Sequence, residues 1–224
     1  MPGRAIADCA ADVLAIIDAL SIERIAVWGI SGGGPHALAC AALLPDRVVA
    51  AACLASPAPF DAAGLDWFAG QAQDNVEDDK LVLSNPTAAR VKRVQDREAL
   101  LATTSAWIME IYPTLFSAID AAALTRELAE FYAARTKDGL APGIDGWWDD
   151  DQAILTPWGF DPQEIRIPIM LWHGRQDRFV PFRHGQWLAA HIPNVHTELT
   201  DDDGHLTLVQ HRVPTVHAWL LKHF

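Results

Sequence analysis

The feature that most restricts the fold is a strand that runs directly into a glycine-rich turn and then a helix. Arg24–Ile30 (RIAVWGI) is short and almost continuously apolar, the pattern of a strand buried on both faces. Gly32-Gly33-Gly34 follows, then Pro35–Leu44, an alanine-rich helix with proline in its first turn. Pro45-Asp46 stops that helix, and Val48–Ala55 is a second buried strand. Two buried strands joined through a helix call for a mostly parallel sheet with a right-handed crossover, hence an α/β fold. A helix over Asp8–Leu20, with Val13, Ile16, Ile17 and Leu20 at helical spacing, precedes the unit.

The alternation then lapses and later resumes. Residues 57–165 offer helices at Asp74–Leu83, Pro86–Leu101 and Asp120–Arg135 but no buried strand, and Lys137–Pro162, rich in Gly, Pro, Asp and Trp, reads as irregular. Ile167–His173 is the next strand, Pro181–His191 a helix, His196–Leu199 a short strand and Arg212–Phe224 a closing helix. The expected layout is one domain, 1–224. Its core is 1–56 and 166–224, and a helical insertion over about 57–165 forms a lid.

Three strand exits carry groups with chemical potential. At the first, Gly29-Ile30-Ser31-Gly32-Gly33 is G-x-S-x-G between a strand and a helix. A serine at so sharp a turn is held strained with its hydroxyl exposed, and side chains two residues before and after would collide, so both positions call for glycine. The following helix aims unpaired N–H groups and its positive end at the same place, and the Gly32 N–H can hold an oxyanion. At the second exit, His173-Gly174-Arg175-Gln176-Asp177 places Asp177 at the carboxyl end of a strand, where sites in open α/β sheets lie. At the third, Asp203-Gly204-His205 places His205 in a loop at that edge. The acidic run Asp201-Asp202-Asp203 reads as a solvated turn, and Asp149-Asp150-Asp151 as a solvated or capping run. His36 reads as a packing or capping residue.

Composition narrows the partners. With 17 basic and 29 acidic side chains, the net charge of −12 argues against nucleic acid and against anionic membranes, both of which need clustered Lys and Arg. No apolar run approaches the roughly 18 residues that span a bilayer, and MPGRAIADCAADV is no secretory signal. Cys9, Cys40 and Cys53 form no CxxC pair and read as small buried hydrophobes in a reducing, cytoplasmic compartment. His184 and His191 are too far apart for a ligand pair on one helix turn, and HExxH is missing, so the sequence points to no metal.

The order Ser…Asp…His, each group after its own strand, together with VWGISGGGPHALACAALLPDRV, IPIMLWHGRQDRFVP and DDGHLTLV, resembles the α/β-hydrolase fold superfamily. The resemblance implies an α/β-hydrolase-type sheet and a serine hydrolase without a cofactor. It gives Ser31 the role of nucleophile, His205 that of general base and Asp177 that of its orienting acid, with Gly32 in the oxyanion hole. The expected substrate is a small carboxylic ester or related acyl compound. Members using Asp at the elbow, for epoxides or haloalkanes, fit less well because Ser31 stands there. The family's nucleophile usually follows a fifth strand. The resemblance therefore also implies that early strands, on the order of 50–70 residues, are lacking. Arg24–Ile30 would then be an edge open to homodimer pairing, and an oxyanion donor would be missing. Two other classes compete. One is a hydrolase-like fragment without activity. The other is a dinucleotide-binding oxidoreductase, since Gly32-Gly33-Gly34-Pro35-His36-Ala37 matches G-x-G-x-x-A, although the next strand ends in Ala55-Ser56-Pro57 with no acid for a ribose. Trp147-Trp148 is the expected pocket pair, and most of the other large apolar lid residues (Trp67, Phe68, Trp107, Met109, Phe131, Trp158) are expected to pack the lid helices onto the core.

Overall fold

A computed structural model describes residues 3–224. Met1 and Pro2, which open the stretch read above as no secretory signal, lie outside the described residues. The chain forms α1 (Asp8–Ala19), β1 (Ile25–Ile30), α2 (Gly33–Leu43) and β2 (Val48–Leu54). Six helices follow: α3 (Gln73–Ser84), α4 (Pro86–Leu101), α5 (Ser105–Leu115), α6 (Ala118–Ala123), α7 (Arg126–Leu140) and α8 (Asp145–Ile154). The alternation then resumes with β3 (Ile169–Gly174), α9 (Phe182–His191), β4 (Val195–Thr200) and α10 (His205–Leu220). The four strands make one parallel sheet in the order β1-β2-β3-β4. Among the described residues that order does not reverse, so they form no switch point of the kind dinucleotide folds use, and the oxidoreductase alternative is not favoured.

The two central strands are buried on both faces, as their apolar runs require. Along β2 and β3 the residues alternate between two cores. Ala51, Cys53, Ile169 and Leu171 pack with Leu38 of α2 and Leu188 of α9. Ala50, Ala52, Met170 and Trp172 pack with Leu208, Val216 and Leu220 of α10. β1 is an edge strand and none of its residues is fully buried; Trp28 is 38% exposed and stacks edge-on against His217. Its apolar sequence resembles that of a central strand, but it has a paired neighbour on one side only among the described residues. The opposite edge, β4, carries the polar side chains His196 and Glu198, and a charged residue such as Glu198 discourages further pairing.

The helical elements depart from expectation where tertiary contacts override local signals. α8 forms within the stretch expected to be irregular: its Asp151 meets Arg93 of α4 at 2.7 Å, and Ala153 is buried in the core. α5 contains Pro113, and α10 contains Pro214; each helix continues through the residue that normally stops it. α10 therefore begins seven residues before Arg212, at His205, which is a helical residue and not a loop residue. The helix expected over Asp120–Arg135 is two helices, broken at Leu124 and restarted by Thr125, whose side chain accepts from the Leu128 N–H. Asp203 is buried rather than solvated; it accepts from Thr200 Oγ1 at 2.7 Å and from Arg212 at 3.1 and 3.2 Å. Cys40 and Cys53 are buried as expected, but Cys9 is partly exposed beside Cys40 and His36, and these two neighbours pull its thiol down to about 5.

The turn between β1 and α2 shows which glycines the elbow needs. Ser31 sits at φ 53°, a left-handed conformation costly for any side chain. It is held there by hydrogen bonds from Ser31 N to Leu54 O and from Gly34 N to Ser31 O, both 2.9 Å. A Cβ on Gly29 would lie 2.1 Å from the Gly33 carbonyl oxygen, and one on Gly34 would lie 2.3 Å from Ser56 Oγ. A Cβ on Gly33 would meet nothing within 4 Å, so the second glycine of the motif is not sterically required, and Gly34 takes that part against β2. Gly29→Ala should lower unfolding stability by about 2 kcal/mol or more. Gly33→Ala, in the first turn of α2, should stay within about 1 kcal/mol of the parent. Urea denaturation midpoints of the two variants check the contrast.

Candidate active site

All three predicted groups stand at the carboxyl end of the parallel sheet, Ser31 after β1, Asp177 after β3 and His205 after β4. Asp177 is fully buried and serves two structures at once. Its Oδ1 accepts from the N–H groups of Phe179 and Val180 at 2.8 and 2.9 Å, which shapes the turn leaving β3. Its Oδ2 lies 2.8 Å from His205 Nδ1. With Nδ1–H donated to the carboxylate, Nε2 of His205 keeps its lone pair, the tautomer a general base needs. Burial alone would favour protonated Asp177, yet the charges of His205 and His173 and the bonds from His205 and Val180 hold the carboxyl below its ordinary range. Burial works against a charged His205, but the charge and hydrogen bond of Asp177, with the charge of Asp120, hold the imidazole above its ordinary range.

Ser31 and Gly32 border a cavity of about 280 Å³ whose other walls include Trp67, Gln71, Trp147, Ile154, Phe179 and His184. Phe179 links the two halves of the site: it borders the cavity, and its ring centroid lies 5.2 Å from that of His205. Asp177 and His205 are joined by a hydrogen bond; among the described residues Ser31 and His205 are not. In substrate-free sites this bond is commonly long and tightens when substrate fills the gap. Gly32 is the N-cap of α2, next to amides that have no carbonyl partner within the helix. A larger cavity of about 580 Å³, between α4 and α5, adjoins the first through Asp78 and Trp147, and Ser31 is not among its lining residues.

The inserted helices supply residues that sequence reasoning overlooked. Arg93, 5% exposed, bridges Asp151 at 2.7 Å, Asp78 at 2.9 Å and Asp96 at 3.4 Å, so Asp151 is neither solvated nor a cap. Asp79, on the cavity wall, is pushed up to about 6 by burial despite a 3.2 Å hydrogen bond from Gln71. His184 also borders the cavity, but its Nδ1 accepts from Ala58 N at 3.1 Å and its Nε2 donates to Trp67 O at 2.8 Å. Burial pushes it down to about 4, and with both nitrogens engaged it is a neutral wall residue. Of the expected pocket pair, Trp147 borders the cavity under the Arg93 guanidinium, 4.6 Å away, whereas Trp148 packs into the core around Leu155. Trp158 belongs to the sheet core and Phe131 is exposed. Asp120 is completely buried against the start of α10; its one sequence signal is Ser117-x-x-Asp120, the spacing of a helix-capping box. His36 is half-buried, 3.8 Å from Asp150. Among the described residues no three His, Cys, Asp or Glu side chains are grouped to hold a metal ion, and no helix is long and apolar enough to cross a membrane.

Comparison with known proteins agrees with this fold. A pimeloyl-[acyl-carrier protein] methyl ester esterase of Aromatoleum aromaticum is 32% identical over 56 residues, which is 25% of this chain and 22% of the esterase. The match thus spans about a fifth of that relative's length. Among solved structures, a thermophilic esterase from Thermogutta terrifontis superposes with a TM-score of 0.65 at 19% identity, over 100% of this chain and 75% of the other. An enol-lactonase from Burkholderia xenovorans gives 0.62 at 18%, over 98% and 73%. A meta-cleavage product hydrolase from Pseudomonas fluorescens gives 0.64 at 17%, over 99% and 72%. Identities this low speak for the fold alone. The description of the alpha/beta hydrolase fold matches residues 4–212, nearly the whole chain, and the protein belongs to the α/β-hydrolase family.

Proposed function

We propose that this hydrolase cleaves a small carboxylic ester or related acyl compound through an acyl-enzyme on Ser31. The observation that carries the proposal is the 2.8 Å bond between buried Asp177 and His205 Nδ1, at the same sheet edge as a serine strained to φ 53°. Ser31 Oγ attacks the acyl carbonyl carbon while His205 Nε2 takes its proton. The tetrahedral oxyanion is held by the Gly32 N–H at the positive end of α2. Collapse expels the alcohol, which leaves with the proton from His205. Water, deprotonated by the same imidazole, then attacks the acyl carbon, and Ser31 recovers its proton as the acid departs. Helices α3, α4 and α8 wall the cavity as a lid, and its volume of about 280 Å³ suits a short acyl group. The distant esterase relative supports ester chemistry. Three free thiols suit a reducing compartment such as the cytoplasm.

Labelling with a fluorophosphonate serine probe, read by intact mass, should add one adduct to the parent and none to Ser31→Ala. A folded parent that takes no label, or a Ser31→Ala protein that labels equally, would overturn the assignment.

The pH profile tests the pair. His205 acts only when neutral, and its proton affinity is raised in the folded protein, so kcat/KM should rise with pH through that raised value. Asp177→Asn removes the negative charge and forces the wrong imidazole tautomer. On p-nitrophenyl acetate it should cut kcat by ~10³-fold or more and move the acidic limb of the profile to lower pH. An unchanged limb would show that Asp177 does not govern His205.

A further inference from the structure

Asp120 lies on α6, inside the insertion, 85 residues from the histidine it contacts. Its Oδ2 accepts from His205 N at 2.8 Å, and its Oδ1 accepts from Leu206 N at 2.9 Å and Thr207 N at 3.0 Å. Ser117 Oγ donates to Oδ2 at 2.9 Å, and the carboxylate is wholly enclosed. The first amides of a helix have no carbonyl partner within it, and an N-cap side chain ordinarily supplies one. Here the N-cap is Gly204, which has no side chain. A Cβ at that position would lie 2.2 Å from Asp120 Oδ2. The glycine before His205 therefore admits a carboxylate that arrives from another part of the chain.

We propose that Asp120 is a positioning residue for His205, fixing the backbone that carries the imidazole and supplying a second negative charge that stabilises its protonated form. The inference rests on the role given to His205 above. His205 is the first residue of α10, where the positive end of the helix opposes a cation. Asp120 places its charge at that end, 2.8 Å from the His205 N–H, while Asp177 engages the ring. Other titratable groups stand nearby: His173, fully buried and held below its ordinary range by burial, lies 3.8 Å from Asp177; Asp203, two residues before His205, is buried with its carboxylate engaged by Arg212; and Tyr132 packs against the cluster that contains Leu206. Of the groups facing His205, Asp177 and Asp120 are thus the two that supply negative charge to its imidazolium. Asp120 also ties the base to the insertion. Leu206, the next residue of α10, packs in a core formed by Ile108, Phe116, Leu124 and Ala129 of inserted helices and their connections.

The test compares Asp120→Asn, which removes the charge, with Gly204→Ala, which leaves the charge but pushes it away from the helix. His205 is titrated by NMR of its ring, assigned by the signal lost in His205→Gln, and p-nitrophenyl acetate turnover is followed alongside. Asp120→Asn should lower the His205 midpoint by ~0.5 pH unit or more and kcat by ~10-fold, with KM changed less than about twofold. Gly204→Ala should move both in the same direction, and Asp120→Glu should recover part of the midpoint shift. A lower melting temperature with an unmoved His205 midpoint and unmoved kcat would make Asp120 a structural cap only and overturn the proposal. If Asp120→Asn does not fold, Gly204→Ala carries the same two readouts. If the parent shows no Ser31-dependent turnover, the hydrolase assignment falls and the His205 titration alone decides: a midpoint moved by the substitution supports the coupling, and an unmoved one overturns it.

Discussion

The carboxylate of Asp177 is the interaction on which the site depends. Its two oxygens bind different things, one the amides of the turn after β3 and the other the ring of His205. An ion this deep is tolerable only with a full set of partners, and here the partners are the cavity wall and the base. The turn brings Phe179 to the cavity and against the imidazole, so a single group sets both the shape of the wall and the tautomer of the histidine. The pair also links the site to folding. Asp177, with its proton affinity lowered, contributes stability above about pH 3.9, lost as pH falls through its folded value. His205, with its affinity raised, contributes stability below about pH 6.5, lost as pH rises through its own. Between those limits the ion pair is fully formed in the folded chain.

The sheet decides where these groups can meet. Four parallel strands in sequential order put every strand exit on one rim, and of the helices that start there α2 and α10 begin at Gly33 and at His205. Their positive ends have opposite consequences. At α2 the field favours an oxyanion beside Gly32. At α10 it opposes a positive charge on His205. Two carboxylates stand beside that residue, one from a strand exit and one from the insertion.

Much of this was legible in the sequence. The strand–glycine–helix unit, the two central strands and the Ser31, Asp177 and His205 positions follow from local patterns: apolar runs bounded by turn residues, and polar groups at strand exits. What local patterns could not show was geometry set by distant contacts. The closing helix expected from Arg212 starts at His205 and runs through Pro214, a residue that ordinarily breaks a helix interior. α8 was invisible in its Gly, Asp and Trp residues, because Arg93, more than fifty residues earlier, organises its acidic side. Asp203 looked solvated in a run of three aspartates, yet Arg212 and Thr200 bury it. The elbow glycines were half legible. The clash at Gly29 is intrinsic to the turn, whereas the one at Gly34 needs Ser56 of the neighbouring strand exit, which only the folded sheet supplies.

The insertion therefore does more than cover the serine. Ile154 of α8 approaches so closely that a Cβ on Gly32 would sit 3.2 Å from its Cδ1. Asp120 of α6 holds the backbone of His205. Between these points, Arg93 binds α3, α4 and α8 through Asp78, Asp96 and Asp151. A buried guanidinium shared among three carboxylates is costly to desolvate, and losing it would leave acids uncompensated beside the cavity. Such a network makes the position of α8 sensitive to charge. Asp78 of α3 and Asp151 of α8 both border the cavity beside Ser31, so the Arg93 network joins that wall to the helix whose Ile154 adjoins Gly32.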